Sequence, residues 1–178
     1  MYICPCIAYN KNTFTMEALP MKNIVLIGMP GTGKSTVGKA LAERFGYDFV
    51  DADDLIVQTT GKTLPEILRQ DGLEAFYEIE NKVGTDLNRT HTVIATGGSM
   101  VLYPEAMAHL KEGSTVIWLQ TPFSQLEKRM PADLYDRGIA VPAGTPLREI
   151  YEERCVLYAR YADLIVVSQD GESDTARL

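Results

Sequence analysis

The eight residues Gly28-Met29-Pro30-Gly31-Thr32-Gly33-Lys34-Ser35 form a Gly-x-x-x-x-Gly-Lys-Ser loop, a pattern suited to holding a polyphosphate. Its glycines let the backbone curl until successive N–H groups point inward, and a helix starting just beyond adds the positive end of its dipole. Lys34 is expected to reach the outer phosphates and Ser35 to ligate magnesium. Gly28, Gly31, Thr32, Gly33 and Thr36 complete the expected nucleotide contacts. A plain turn from strand to helix would account for the glycines, but it has no need of Lys34 and Ser35 together.

Other residues with chemical potential follow in order. Asp51 and Asp53 are two apart, and on an extended segment such side chains share a face. An acid at Asp53 can take the proton of an accepting hydroxyl while Asp51 holds magnesium through water. The competing role for Asp53 or Asp54 is to cap the next helix. Thr96-Gly97-Gly98-Ser99 would present backbone N–H donors to a ligand. Tyr77 and Glu80, three apart on a helical pattern, can both face a cleft, or Tyr77 can be partly buried and Glu80 solvated. Arg129 and Arg137 bracket a stretch running to Pro146 that is long enough to act as a mobile lid. Cations over the phosphates and the exclusion of water both favour phosphoryl transfer, although each arginine could instead be a solubilising surface residue. Arg154 stands on a late helical pattern from which it can enter the same cleft.

The elements that must position these residues alternate. Ile24 to Ile27, Phe49 to Asp51, Thr92 to Ala95, Val116 to Leu119 and Leu164 to Val167 read as short apolar strands of a parallel sheet covered on both faces. Helical patterns run from Lys34 to Phe45, in two or three pieces from Ile56 to Asn88, from Pro104 to Leu110, from Pro122 to Met130 and from Leu147 to Tyr161. In such a sheet, ligands collect beyond the C-terminal strand ends, where the glycine loop, Asp51 and Gly97 all fall. Trp118 lies inside an apolar run and reads as core.

The whole chain narrows the options. It has 178 residues, 46% hydrophobic and 23% charged, with a formal net charge of -7, which fits one globular domain over residues 21–178. Interspersed acids and bases argue against a nucleic-acid surface, and no apolar run reaches the 18 or so residues of a membrane helix. Cys4, Cys6 and Cys155 lack metal-ligand spacing and read as free thiols of a cytoplasmic protein. Neither His91 nor His109 has neighbours for a metal or a triad. Residues 1–20 lack a charged opening before a compact apolar core, so they are not a secretory signal and are expected to stand outside the fold.

Taken together, the phosphate loop, Phe49-x-Asp51-x-Asp53, Gly97-Gly98, the arginine-bracketed stretch, and Glu153-Arg154 with Leu157-Tyr158 and Ala162-Asp163 resemble the shikimate kinase family from Lys22 to Val167. The resemblance implies an α/β fold of the nucleoside-monophosphate-kinase branch of P-loop proteins. That fold is three-layered, α/β/α, with a five-stranded parallel sheet in order 2-3-1-4-5, a helical substrate-binding insertion at about 54–90 and a lid at about 129–146. It implies transfer of the γ-phosphate of ATP, with Mg2+, to the 3-hydroxyl of shikimate by a monomer, a step toward aromatic amino acids. Lys34, Asp53 and Arg137 are similar to the catalytic residues, and Ser35 and Asp51 to the metal-side pair. Arg129 is similar to the arginine near adenine. Gly97, Gly98, Ser99, Tyr77 and Arg154 occupy positions of the substrate site, Arg154 at that of the arginine holding the substrate carboxylate.

The chain also departs from the pattern. Phe76-Tyr77-Glu78-Ile79-Glu80 stands where the family has Phe-Arg-x-x-Glu, and Gly97-Gly98-Ser99 where it has three glycines. A phenol in place of a guanidinium fork removes charge and bidentate geometry, and leaves Glu80 without its arginine. An unpaired Glu80 beside Arg154 motivates an alternative acceptor bearing both a carboxylate and an amine, such as a hydroxy amino acid; another polyol acid is a second option. The remaining alternative, from a different class, is a nucleotide-binding module without transfer.

Overall fold

The computed structural model describes residues 22–131 and 133–168. Five strands, β1 (Asn23–Ile27), β2 (Asp48–Asp51), β3 (Thr92–Ala95), β4 (Ser114–Gln120) and β5 (Leu164–Val167), form one parallel sheet in the order β2-β3-β1-β4-β5. The order is the expected one, and it puts β1 at the centre, with Leu26 opposite Ala95 of β3 and Ile27 opposite Trp118 of β4.

The period-two alternation of β1 sorts the core into two layers. Ile24 and Leu26 pack with Val37, Leu41 and Ala42 of α1 (Lys34–Phe45). Val25 and Ile27 face the larger layer, built on α2 (Ala52–Thr60), α3 (Leu64–Gln70), α4 (Leu73–Asp86), α5 (Pro104–Lys111), α6 (Phe123–Arg129) and α7 (Leu147–Tyr161). Trp118 belongs to that layer, 5% exposed, with its ring 5.8 Å from that of Tyr158. The approach of α1 to the sheet depends on Gly38, where a Cβ would come within 2.5 Å of the Phe49 ring.

The 56–88 stretch resolves into the body of α2 and two further helices. Thr63 and Glu66 form a reciprocal capping box at the start of α3, and Pro65 lies in its first turn, where its missing N–H costs nothing. β4 runs two residues earlier and one later than its apolar core, because Ser114, Thr115 and Gln120 still pair with neighbouring strands. Pro122 is the N-cap of α6 rather than its first residue, and the helix stops at Arg129. Residues 133–146 are less open than a plain loop. They contain a 3-10 turn over Leu134–Arg137 and a buried run, Ile139-Ala140-Val141. The sequence-based expectations for residues 1–20, Cys4 and Cys6 lie outside the described residues. No helix among the described residues is long and apolar enough to cross a membrane.

Candidate active site

The loop between β1 and α1 has the shape its glycines allow. Gly28, Gly31 and Gly33 all have positive φ (146°, 78° and 88°), and Gly33 is the N-cap of α1 without any side-chain cap, so the first-turn N–H groups remain available. Gly28 has a steric reason as well, since a Cβ there would lie 2.6 Å from the Leu119 carbonyl oxygen. Lys34 is 8% exposed and folds back over the loop, donating to the carbonyls of Gly28 (2.8 Å) and Met29 (2.9 Å). Thr32 is buried and donates from its hydroxyl to the same Met29 carbonyl at 2.9 Å.

Ser35 Oγ donates to Asp51 Oδ2 at 2.6 Å, and the other Asp51 oxygen accepts the backbone N–H of Asp53 at 3.0 Å. Asp51 is therefore the N-cap of α2, so neither Asp53 nor Asp54 takes the capping role that competed with chemistry in the sequence. Asp53 sits in the first helical turn, not on an extended strand. It shares a region with Asp51 because the capped turn folds it back over the strand end. A hydroxyl and a carboxylate oxygen in contact are the hard donors that suit Mg2+ when most of its other ligands are water and phosphate, so these two residues fit that ion. Among the described residues, no three His, Cys, Asp or Glu side chains gather as a metal cage.

One cavity of about 290 Å³ joins this loop to the rest of the site. Lys34, Ser35, Thr36, Asp51 and Asp53 line one end, and Glu80, Gly97, Gly98, Ser99 and Arg154 the other, with Arg137 and the 138–140 backbone across the top. Pro30 of the loop packs on Gly98, where a Cβ would fall 2.6 Å from the proline ring. Tyr158 fixes the same turn by donating to the Gly98 carbonyl at 2.6 Å. Arg154, 2% exposed, donates to the Ala140 carbonyl at 2.7 Å. Above the loop, Arg129 donates to the Gly31 carbonyl at 3.1 Å, and Arg137 Nη1 lies 3.6 Å from where a Gly31 Cβ would stand. The 3-10 turn is pinned to α3: Arg69 pairs with Asp133 (3.2 Å) and Asp136, and Gly138 abuts Leu64.

Burial dominates the electrostatics. It pushes the Asp53 carboxyl up to about 6, with the neighbouring Asp51 charge adding to the rise. The same cause lowers the Lys34 ammonium to about 8 despite the attraction of both acids. Glu80, fully buried, is raised to about 7 by burial, against hydrogen bonds from Ser99 and Tyr103 that favour its charged form.

Tyr77 is half-buried and outside the cavity lining. Its ring packs edge-on against Tyr103 at 5.9 Å, and its hydroxyl reaches only 3.5 Å from the Ala140 carbonyl. Glu80 is buried rather than solvated: Ser99 donates to its Oε2 at 2.6 Å and Tyr103 at 2.9 Å, while among the described residues no salt bridge reaches it. Tyr103 and the Ile139-Ala140 wall carry no motif and were not legible in the sequence; Tyr158 falls in the Leu157-Tyr158 pair of the family resemblance, to which no role attaches there. His109 meets the Leu87 carbonyl at 3.1 Å, and the His91 ring lies against Tyr47.

Holding a nucleotide does not by itself call for a buried acid beyond the loop with a guanidinium behind it. That pairing of a phosphate cradle with an acceptor pocket belongs to a P-loop kinase, a phosphotransferase that acts on a small molecule. The comparisons with known proteins narrow the class. The shikimate kinase family profile matches residues 30–177. A shikimate kinase of Synechococcus sp. (strain RCC307) is 42% identical over 163 residues, covering 89% of this chain and 82% of that protein. The enzyme of that name from Persephonella marina is 38% identical, covering 86% and 92%. The solved shikimate kinase of Acinetobacter baumannii in complex with shikimate superposes with a TM-score of 0.73 at 29% identity, covering 85% of this chain and 86% of that one. The chain belongs to the shikimate kinase family.

Proposed function

We propose that the chain transfers the γ-phosphoryl group of ATP to the 3-hydroxyl of shikimate, giving shikimate 3-phosphate and ADP. One observation carries the residue assignments: Asp53, Lys34 and Arg154 line a single cavity that begins at the phosphate loop and ends at a buried guanidinium. The loop N–H groups and the α1 dipole hold the ATP phosphates. Lys34 exchanges its two loop carbonyls for phosphate oxygens, and Arg137 adds a second cation over the transferring group. Arg129, already on the Gly31 carbonyl, borders the nucleotide side. Asp53 accepts the proton of the acceptor hydroxyl as that oxygen bonds to the γ-phosphorus and the bond to the bridging oxygen of ADP breaks. A carboxyl held near 6 is mostly ionised at pH 7 and is a better base than an ordinary aspartate.

Bound Mg2+ supplies positive charge to the phosphates, and Ser35 with Asp51 would hold it. Arg154 gives up the Ala140 carbonyl to bind the acceptor carboxylate, with Gly97, Gly98 and Ser99 around it, while Tyr77, outside the cavity lining, packs on Tyr103. Residues 129–146 act as a lid that keeps water from the phosphoryl group. The enzyme is read as a cytoplasmic monomer.

The test is ADP release from purified protein with ATP and Mg2+, with and without shikimate, together with analysis of the product for added phosphate. The expected result is shikimate-dependent turnover that Asp53→Asn lowers by about a thousandfold or more. ADP release indifferent to shikimate, or an Asp53→Asn variant of near wild-type rate, would sink the assignment.

A further inference from the structure

Glu80 is the most thoroughly buried acid of the site, at 0% exposure, and its two oxygens differ. Oε2 accepts from Ser99 Oγ at 2.6 Å and from the Tyr103 hydroxyl at 2.9 Å. Oε1 has no protein partner and points at Gly97, where even a Cβ could not fit beside it. Asp53 Oδ1 approaches the same glycine from the other side, 3.0 Å from that Cβ position. Gly97 is therefore the gap between two carboxylates, both lining the cavity.

No salt bridge reaches Glu80 among the described residues; Arg154 spends its short hydrogen bond on Ala140. A carboxylate oxygen buried without a donor is destabilising, and a ligand that supplies a donor recovers that cost. The cavity's three cations, Lys34, Arg137 and Arg154, are matched by three acids, Asp51, Asp53 and Glu80, so no net charge calls for an ammonium, and a neutral hydroxyl supplies the missing donor.

We propose that Ser99 and Tyr103 are positioning residues for acceptor recognition: their hydroxyls occupy Glu80 Oε2 and turn Oε1 toward Gly97. There Oε1 takes a hydroxyl of the acceptor adjacent to the one presented to Asp53. The inference rests on the phosphoryl-transfer reading above and deepens it, since the acceptor must then carry neighbouring hydroxyls as well as an anion. Tyr103 is itself oriented by its edge contact with Tyr77, so Tyr77 serves the acceptor pocket partly through its ring.

The charged or titratable groups facing Glu80 are Asp53 from α2, Lys34 from α1, Arg154 and Tyr158 from α7, Tyr77 from its own helix, and Tyr103. Removing the Tyr103 donor withdraws support from the ionised form of Glu80, so the ionised form needs a higher pH.

Steady-state kinetics on the full chain decide the matter, with wild type, Tyr103→Phe, Ser99→Ala and Glu80→Gln each given shikimate and its two mono-deoxy analogues that keep the 3-hydroxyl. For Tyr103→Phe the expected result is a KM for shikimate raised about tenfold, with kcat within about threefold, KM for ATP unchanged, and the acidic limb of kcat/KM moved to higher pH. Ser99→Ala changes little volume and carries the same expectation, which keeps the question open to refutation if Tyr103→Phe folds poorly. Glu80→Gln should lose tenfold or more on shikimate and almost nothing on the one analogue that lacks the hydroxyl meeting Oε1. Equal penalties on all three acceptors, or an unmoved KM, would overturn the positioning role alone. No turnover of shikimate by wild type would overturn this inference together with the acceptor assignment.

Discussion

The two ends of the cavity are built in different ways. The phosphate end is one contiguous stretch, Gly28 to Thr36, in which backbone groups make the anion site and side chains mainly trim it. The acceptor end is assembled from α2, α4, the turn after β3, the 138–140 backbone and α7. Side chains are its substance, down to a buried acid held by two hydroxyls. A site made of backbone is written in local sequence, because turn geometry and helix start are local properties. A site made of side chains from distant segments changes whenever one segment changes its residue. Tyr77 and Ser99 show this, since both depart from the family pattern while the phosphate loop keeps it.

That contrast can be broken by experiment. The largest effect is expected at the phosphate end, where Lys34→Ala removes the one side chain that replaces loop carbonyls with phosphate contacts. The expected loss in kcat is about a thousandfold, and measurement of ATP binding separates it from weaker affinity. A mild effect would mean that the backbone cradle suffices and that Lys34 serves only the loop.

Next comes the acceptor end. Arg154→Lys keeps the charge but loses the fork that reaches the Ala140 carbonyl, so KM for shikimate should rise roughly a hundredfold while KM for ATP stays put. Equal rises in both constants would show that the two ends are not separable.

A smaller effect concerns stability. Folding raises the Glu80 carboxyl from its ordinary value of 4.5 to about 7, so between those pH values the folded state binds more protons than the unfolded one. The stabilisation that protonated Glu80 retains below about 4.5 is accordingly lost as pH rises through 7. Glu80→Gln cannot ionise, so its unfolding free energy relative to wild type, read from denaturant unfolding, should climb from pH 5 to pH 8 by an amount on the order of 2 kcal/mol. A constant difference across that range would show that Glu80 is not strained by burial. A climbing difference means that the variant gains stability relative to wild type toward pH 8 while losing acceptor binding, a trade expected where a site holds a buried charge.

The smallest effect is expected at the contact between the two halves of the roof. Arg69 and its partners Asp133 and Asp136 are solvent-exposed, so Arg69→Ala should shift the thermal midpoint by no more than about 2 °C, with any kinetic effect confined to closure of the 129–146 segment. A large loss of stability would mean that α3 and the roof fold as one unit.

Much of the architecture was legible because its signals are local and periodic. Short apolar runs alternating with 3.6-period helices led to the parallel sheet, and the resemblance supplied its strand order. The misreadings share a cause. Residue counting places Asp53 on a strand face and starts the helical pattern at Ile56, whereas the cap formed by Asp51 begins the helix at Ala52, four residues earlier. For Glu80 the family pattern offers no partner once its arginine is missing, and the donors that stand in lie 19 and 23 residues further along the chain.

From the sequence alone came the phosphate loop, the acids beyond β2, the glycine turn beyond β3 and the order in which they occur, since each depends on backbone conformations that neighbouring residues dictate. Only the tertiary structure decided what surrounds Glu80, which carbonyl restrains Arg154, and that Tyr77 turns its ring to Tyr103 rather than lining the cavity. Burial and hydrogen-bond partnership are properties of where segments meet in space, and no window of sequence contains both sides of such a meeting.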